Sequence, residues 1–196
     1  MLNLDRFIAD CRAALSEPSP VPAIEAILER AVADPSGVEA ALGTPREGTV
    51  ATLHHDRDLT ILNVVWPPGM AVAPHDHRMW ALIGLYGGRE DNAFYRRGDR
   101  GLETAGGRQL ETGDTTLLGP AIIHAVTNPL RAFTGAIHIY GGDFFGMPRS
   151  EWDPETLEER PWDVARTRKA FADATERWLA ETTRARSQED PRVLGG

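Results

Sequence analysis

Apolar residues recur along this chain in more than one rhythm, and the changes of rhythm divide it. Leu4, Phe7, Ile8 and Cys11 follow one another at i, i+3, i+4 and i+7, the stripe of an amphipathic helix, with Asn3 placed as its N-cap. Cys11 on that stripe reads as a small core residue and not as a reactive thiol. The segment SEPSPVP breaks the pattern. A second helix then carries Ile24, Ile27, Leu28, Ala31 and Val32 on one face and ends near ADPSG.

From about residue 48 the runs become short and rich in β-branched and aromatic residues: TVATLHH, LTILNVVW, ALIGLYGG, NAFYRR, TTLLG, HAVTN and AFTGAIHIYGG. PPG, GG, RGDRG, AGG, TGD and NPL punctuate them. Short strands at this spacing, with no helix between them, predict an antiparallel all-β core, seven or eight strands over residues 48 to 141, closed as a small jelly-roll barrel. The rhythm then lengthens again. PWDVARTRKAFADATERWLAET sets Val164, Arg168, Phe171, Thr175, Trp178 and Leu179 near one face. It predicts a helix packed outside the barrel with Phe171 and Trp178 as anchors, or a partner-binding helix. The expected division is an N-terminal helical segment at 1–44, a barrel at 45–149, a C-terminal helical extension at 150–183 and a disordered tail at 184–196. No internal repeat and no interdomain linker is visible.

Composition narrows the function classes. With 21 Lys+Arg against 29 Asp+Glu the net charge is −8, which argues against nucleic acid and anionic membranes as partners. Lys169 is the only lysine. One cysteine leaves no internal disulfide and fits a reducing compartment. The acids among the first apolar residues do not read as a signal peptide. No apolar run approaches the ~18 residues of a membrane span. The expectation is a cytoplasmic protein, monomeric or homodimeric.

Candidate chemistry lies in the histidines. His75 and His77 are two apart, which on a strand puts both on one face. His124 follows 47 residues later in GDTTLLGPAIIHAVTN. Three imidazoles on short strands of one barrel form a candidate ligand set for a divalent metal, of which imidazole alone does not fix the identity. His138 and Tyr140 also share a face, while Ile137 and Ile139 take the other. A polar inner face and an apolar outer face fit a metal site under a covering layer. His138 reads as a supporting or substrate-facing residue rather than a fourth ligand. His54 and His55, beside DRD, read as a solvated turn.

G-x5-HDH (Gly69 to His77) followed by GP-x3-H-x3-N (Gly119 to Asn128) resembles the two-part signature of the cupin superfamily, whose fold is a double-stranded β-helix. Ordinary cupins carry a glutamate ligand four or five residues after the second histidine. Here those positions are Ala81 and Leu82. The missing carboxylate, with HDHRMWALIGLYGG and HIYGG, resembles the cysteine dioxygenase family of thiol dioxygenases, nearest its bacterial 3-mercaptopropionate branch, over about residues 45 to 150.

That resemblance implies Fe(II) held by His75, His77 and His124, with a small-molecule thiol and O2 as substrates. The family's Ser-x-His-x-Tyr segment falls on Ala136, His138 and Tyr140, which gives His138 and Tyr140 a catalytic role with the serine lost. The early-strand arginine of the animal enzymes falls near Thr49, and with Cys11 alone the chain cannot form their cysteine–tyrosine crosslink. Arg149, nine residues after Tyr140, falls where the bacterial enzymes place the arginine that binds the substrate carboxylate. The alternative for Arg149 is an ordinary surface position. Met79, Trp80, Phe144 and Phe145 are candidate walls of the substrate pocket, with plain core packing the alternative for each. Two other functions fit the same ligand set: a three-histidine dioxygenase that cleaves a C–C bond of a non-thiol molecule, and a cupin that binds a metal or ligand without catalysis.

Overall fold

The structure, a computed structural model, describes residues 1–99 and 101–189. Three helices come first: α1 (Leu4–Ala14), α2 (Pro20–Val32) and α3 (Pro35–Leu42). The Asn3 side chain caps α1 by accepting the N–H of Arg6 at 2.9 Å. ADPSG ends α2, as its composition predicts, and also starts α3. Asp34 accepts the N–H of Gly37 at 3.0 Å while Pro35 takes the first helical position.

Nine strands follow: β1 (Thr49–His55), β2 (Thr60–Trp66), β3 (Ala71–Asp76), β4 (Ala81–Gly87), β5 (Arg89–Gly98), β6 (Gly101–Glu111), β7 (Thr115–Leu118), β8 (Ile123–Thr127) and β9 (Thr134–Tyr140). Two more, β10 (Ser150–Trp152) and β11 (Glu159–Pro161), precede the long helix α4 (Val164–Glu189). The pairings are antiparallel and make two sheets, β1-β2-β9-β4-β7 and β11-β10-β3-β8-β5-β6, which face each other as a jelly-roll barrel.

Alternation on β2, β4 and β9 builds two cores at once. Leu62, Val64, Ile83, Leu85 and Ala136 point into the barrel and meet Leu110 and Val126 of the other sheet. Ile61, Leu82, Tyr86, Ile137 and Ile139 point out and are covered by Phe7, Cys11, Ile24, Leu28 and Val32 of the helices. Full burial of each such side chain contributes about 1.5–3 kcal/mol. Close approach of α2 requires Gly84, because a Cβ there would sit 2.8 Å from the Leu28 side chain.

Four sequence expectations change. β6, with mostly exposed side chains and three glycines, reads as punctuation by pattern; as an edge strand it needs no buried face. The segment from 150 opens with β10 and β11 before any helix. On α4, Phe171 and Ala174 are buried, but Trp178 is half-buried under Arg131, and Leu179 is 53% exposed. Residues 184–189 of the expected tail continue α4; the remainder of that tail lies outside the described residues.

Candidate metal centre

β3 and β8 run antiparallel with His75 directly opposite His124, so cross-strand pairing brings two imidazoles together that are far apart in sequence. β3 ends at Asp76, and His77 lies one residue beyond it, just before Arg78 turns the chain at φ 57°. The three histidines each offer one ring nitrogen within 4.8 Å of the others. Their ring centroids are 4.5 to 5.0 Å apart.

Supporting hydrogen bonds choose the tautomers. His75 donates from Nδ1 to the Ala73 carbonyl at 3.0 Å. His124 donates from Nδ1 to Oδ1 of Asn92 at 2.7 Å, an oxygen that is free to accept because the Asn92 amide nitrogen donates to Glu90. Both rings therefore keep Nε2 bare. The Nε2 atoms of His124 and His77 face each other at 3.4 Å, a pairing that requires a proton or a cation between them. Burial pushes His75 down to about 4. Burial and the neighbouring imidazoles hold His77 and His124 well below the ordinary histidine value. Three neutral imidazoles converging in a largely buried site suit a divalent transition metal.

The same cavity, about 80 Å³, is lined by the three histidines, His138, Tyr140, Arg149 and a mainly apolar remainder. His138 Nδ1 lies 3.0 Å from the Tyr140 hydroxyl. The Tyr140 ring meets His77 edge-on at 5.0 Å and packs on Phe144 at 4.2 Å. Burial raises the Tyr140 hydroxyl above the ordinary phenol range and lowers His138 to about 3.

Arg149 is buried, not a surface residue. Its guanidinium lies between the rings of Phe144, at 3.8 Å, and Trp162, at 3.6 Å. One Nη1 hydrogen goes to the Phe144 carbonyl, while Nε and Nη2 have no partner among the described residues. Burial lowers its pKa to about 10, so it remains a cation with donors to spare.

Two expected wall residues are elsewhere. Trp80 packs into the outer, helix-covered core, with its ring against Gly141. Met79 is buried in the barrel core but does not line the cavity. Adjacency to HDH in sequence does not carry over, because the chain turns at Arg78. Phe144 and Phe145 do line the cavity. Their loop is tied down by Asp143, which bonds His55 at 2.7 Å and accepts the N–H of Phe145 and Gly146. His55 thus ends β1 and anchors this loop, while His54 pairs with Asp56 at 2.9 Å.

Sequence reasoning missed Asp76, Asn92, Trp162 and Glu90. Asp76 accepts the backbone N–H of Ser150 at 2.8 Å and pairs with Arg78 at 3.1 Å, fixing β10 beside β3. Asn92 orients His124. Only the i, i+2 spacing of Glu90 and Asn92 signalled a shared inward face.

No family model matches the chain. Among solved structures, it is similar to a protein from Bacillus halodurans at 13% identity, covering 54% of this chain and 77% of that one, with a TM-score of 0.47. A cupin family protein with a double-stranded beta-helix fold from Methanocaldococcus jannaschii matches at 11% identity over 51% of this chain and 84% of that one, with a TM-score of 0.43. A recombinant oxalate oxidase in complex with glycolate matches at 17% identity over 50% of this chain and 53% of that one, with a TM-score of 0.41. The chain spans about half the length of that oxalate oxidase. The likeness to all three is one of fold.

Proposed function

We propose that the protein is a non-haem Fe(II)-dependent thiol dioxygenase acting on a small thiol that carries a carboxylate, of the 3-mercaptopropionate or cysteine kind. The net change is R–S⁻ + O2 → R–SO2⁻. Two S–O bonds form, the O–O bond breaks, and sulfur supplies the electrons that reduce dioxygen. The observation that carries this reading is a buried arginine with unused donors in the same cavity as three neutral, converging imidazoles.

Iron held by Nε2 of His75, His77 and His124 would supply a Lewis-acidic, redox-active centre at which thiolate and dioxygen meet. The chain's own residues do the rest. Arg149 takes the carboxylate with its free Nε–H and Nη2–H, a planar fork matched to two oxygens. Phe144 and Trp162 hold that fork in place and keep water from it. Clamping the acid end presents the sulfur to the histidine cluster, and this restriction of geometry is itself a rate contribution. Tyr140, bonded to His138, manages a proton at the cavity wall.

The test is oxygen uptake by protein loaded anaerobically with Fe(II), offered 3-mercaptopropionate, cysteine and cysteamine separately, with His124→Ala as control. Uptake with a matching sulfinate, lost in the control and absent with cysteamine, which has no carboxylate, supports the reading. No uptake with any thiol in spite of bound iron overturns it, and oxidisable acids without sulfur become the substrates to try.

A further inference from the structure

On the far side of His138 from Tyr140 lies a carboxyl that the proposed reaction does not use. Glu90, on β5, is 0% exposed. Its Oε1 accepts from the Asn92 amide at 3.2 Å. Its Oε2 has no hydrogen-bond partner among the described residues, nor does Nε2 of His138, and these two buried atoms stand 3.9 Å apart. Nδ1, at the other edge of the same imidazole, is 3.0 Å from the Tyr140 hydroxyl. Ala136, two residues before His138 on the same face of β9, offers the ring no hydrogen-bonding side chain. Glu90 is therefore the group that can set the tautomer of His138.

We propose that Glu90 is a positioning residue for Tyr140, acting through His138: the protonation of the Glu90–His138 pair sets whether the Tyr140 hydroxyl turns its proton toward His138 or into the cavity. The inference rests on the reading of this cavity as a catalytic site. With the carboxylate ionised and the imidazole neutral, the ring proton sits on Nε2 facing Glu90. Nδ1 is then bare and accepts the Tyr140 O–H, leaving only phenol lone pairs toward the cavity. One added proton reverses this wherever it settles. If it goes to the carboxyl, the carboxyl donates to Nε2 and the ring proton moves to Nδ1. If it goes to the imidazole, Nδ1 is protonated directly. In both cases Nδ1 donates to the Tyr140 oxygen, and the tyrosine keeps its own proton but turns the O–H into the cavity.

The surroundings support such a pair. Glu90 meets His138 of β9 and Trp66 of β2, whose buried indole N–H has no other partner among the described residues and favours the ionised carboxylate, with Asn92 beside it and Leu110 opposite on β6. Tyr140 lies one imidazole further on, and Arg149 acts on Tyr140 from beyond it. Burial raises Glu90 to about 7, and burial with His75 lowers His138 to about 3. The pair therefore changes its proton count near neutrality.

The measurement is the 15N shift of both His138 ring nitrogens against pH, in the full chain without metal and again with Zn(II) as a diamagnetic occupant. In the wild type Nδ1 passes from bare to protonated as pH falls through about 7. In Glu90→Gln the amide oxygen stays with the Asn92 donor and the amide N–H turns to Nε2, so Nδ1 remains protonated at every pH. With iron, the wild-type kcat bends in the same pH range and the Gln variant is flat. A His138 signal unchanged between about pH 5 and 9 in the wild type, or one titrating identically in the variant, overturns the inference. The wild-type titration decides by itself if the variant does not fold. Failure of the metal reading shows separately, as His75, His77 and His124 resonances that zinc leaves unmoved.

Discussion

Arg149 sets the clearest test at the scale of single residues. Lysine keeps the charge but neither forks nor stacks between two rings, so Arg149→Lys should raise KM for a thiol acid by about 100-fold, since a lost hydrogen bond to a charged group costs about 1.5–3 kcal/mol. Turnover of cysteamine, if any is seen, should not change; steady-state kinetics on both thiols checks this. Tyr140→Phe should lower kcat by about 10²-fold with little change in KM, the range of a positioned proton donor. The three converging histidines were legible in sequence because the spacing of His75 and His77 has a direct geometric meaning. Glu90 and Asn92 were not. In REDN they stand beside Arg89 and Asp91, and one strand of mixed polar residues does not say which face is dry. Met79 and Trp80 misled for the converse reason, since nearness to HDH ignores the turn at Arg78.

Among elements, α4 has the most testable role. Its first turns line the cavity mouth, and Phe171 packs on Trp66 at 5.1 Å. Phe171→Ala should cost about 3–5 kcal/mol if the helix stays docked, and admit water to the cavity, which would uncouple oxygen uptake from sulfinate. Urea melts and a product-to-oxygen ratio measure the two effects. The barrel strands were legible because each has a buried face whose apolar residues recur. β6 lacks such a face. β10 and β11 are three residues each, too short for any period to show, and are placed by Asp76 and by Glu151 pairing with Arg160 and Arg166.

For the molecule as a whole, the buried histidines tie stability to pH. A neutral imidazole whose pKa is lowered takes up a proton on unfolding. Its contribution is complete above the ordinary 6.5 and is lost as pH falls toward the lowered value, about 4 for His75 and about 3 for His138. His77 and His124 act in the same direction. Glu90 opposes them: raised from 4.5 to about 7, it favours the fold below 4.5 and loses that contribution as pH rises to 7. Four groups outweigh one, so metal-free protein should melt lower at pH 5 than at pH 7, each kcal/mol lost moving Tm by about 2–4 °C. A flat profile would mean that these rings are not buried neutral. A bound divalent metal should raise Tm at pH 7 and do so less at pH 5, where protons compete for the same nitrogens.

β9 has a consequence for how this chain can change over time. His138 and Tyr140 face inward while Ile137 and Ile139 lock the helices on outside, so chemistry and scaffold share seven residues in strict alternation. Loss or gain of a single codon within the strand would turn it inside out, putting isoleucines at the histidine-lined cavity and imidazole under the helices. Length variation among descendants of this gene should therefore collect in the turns and at the β6 edge, and spare β9.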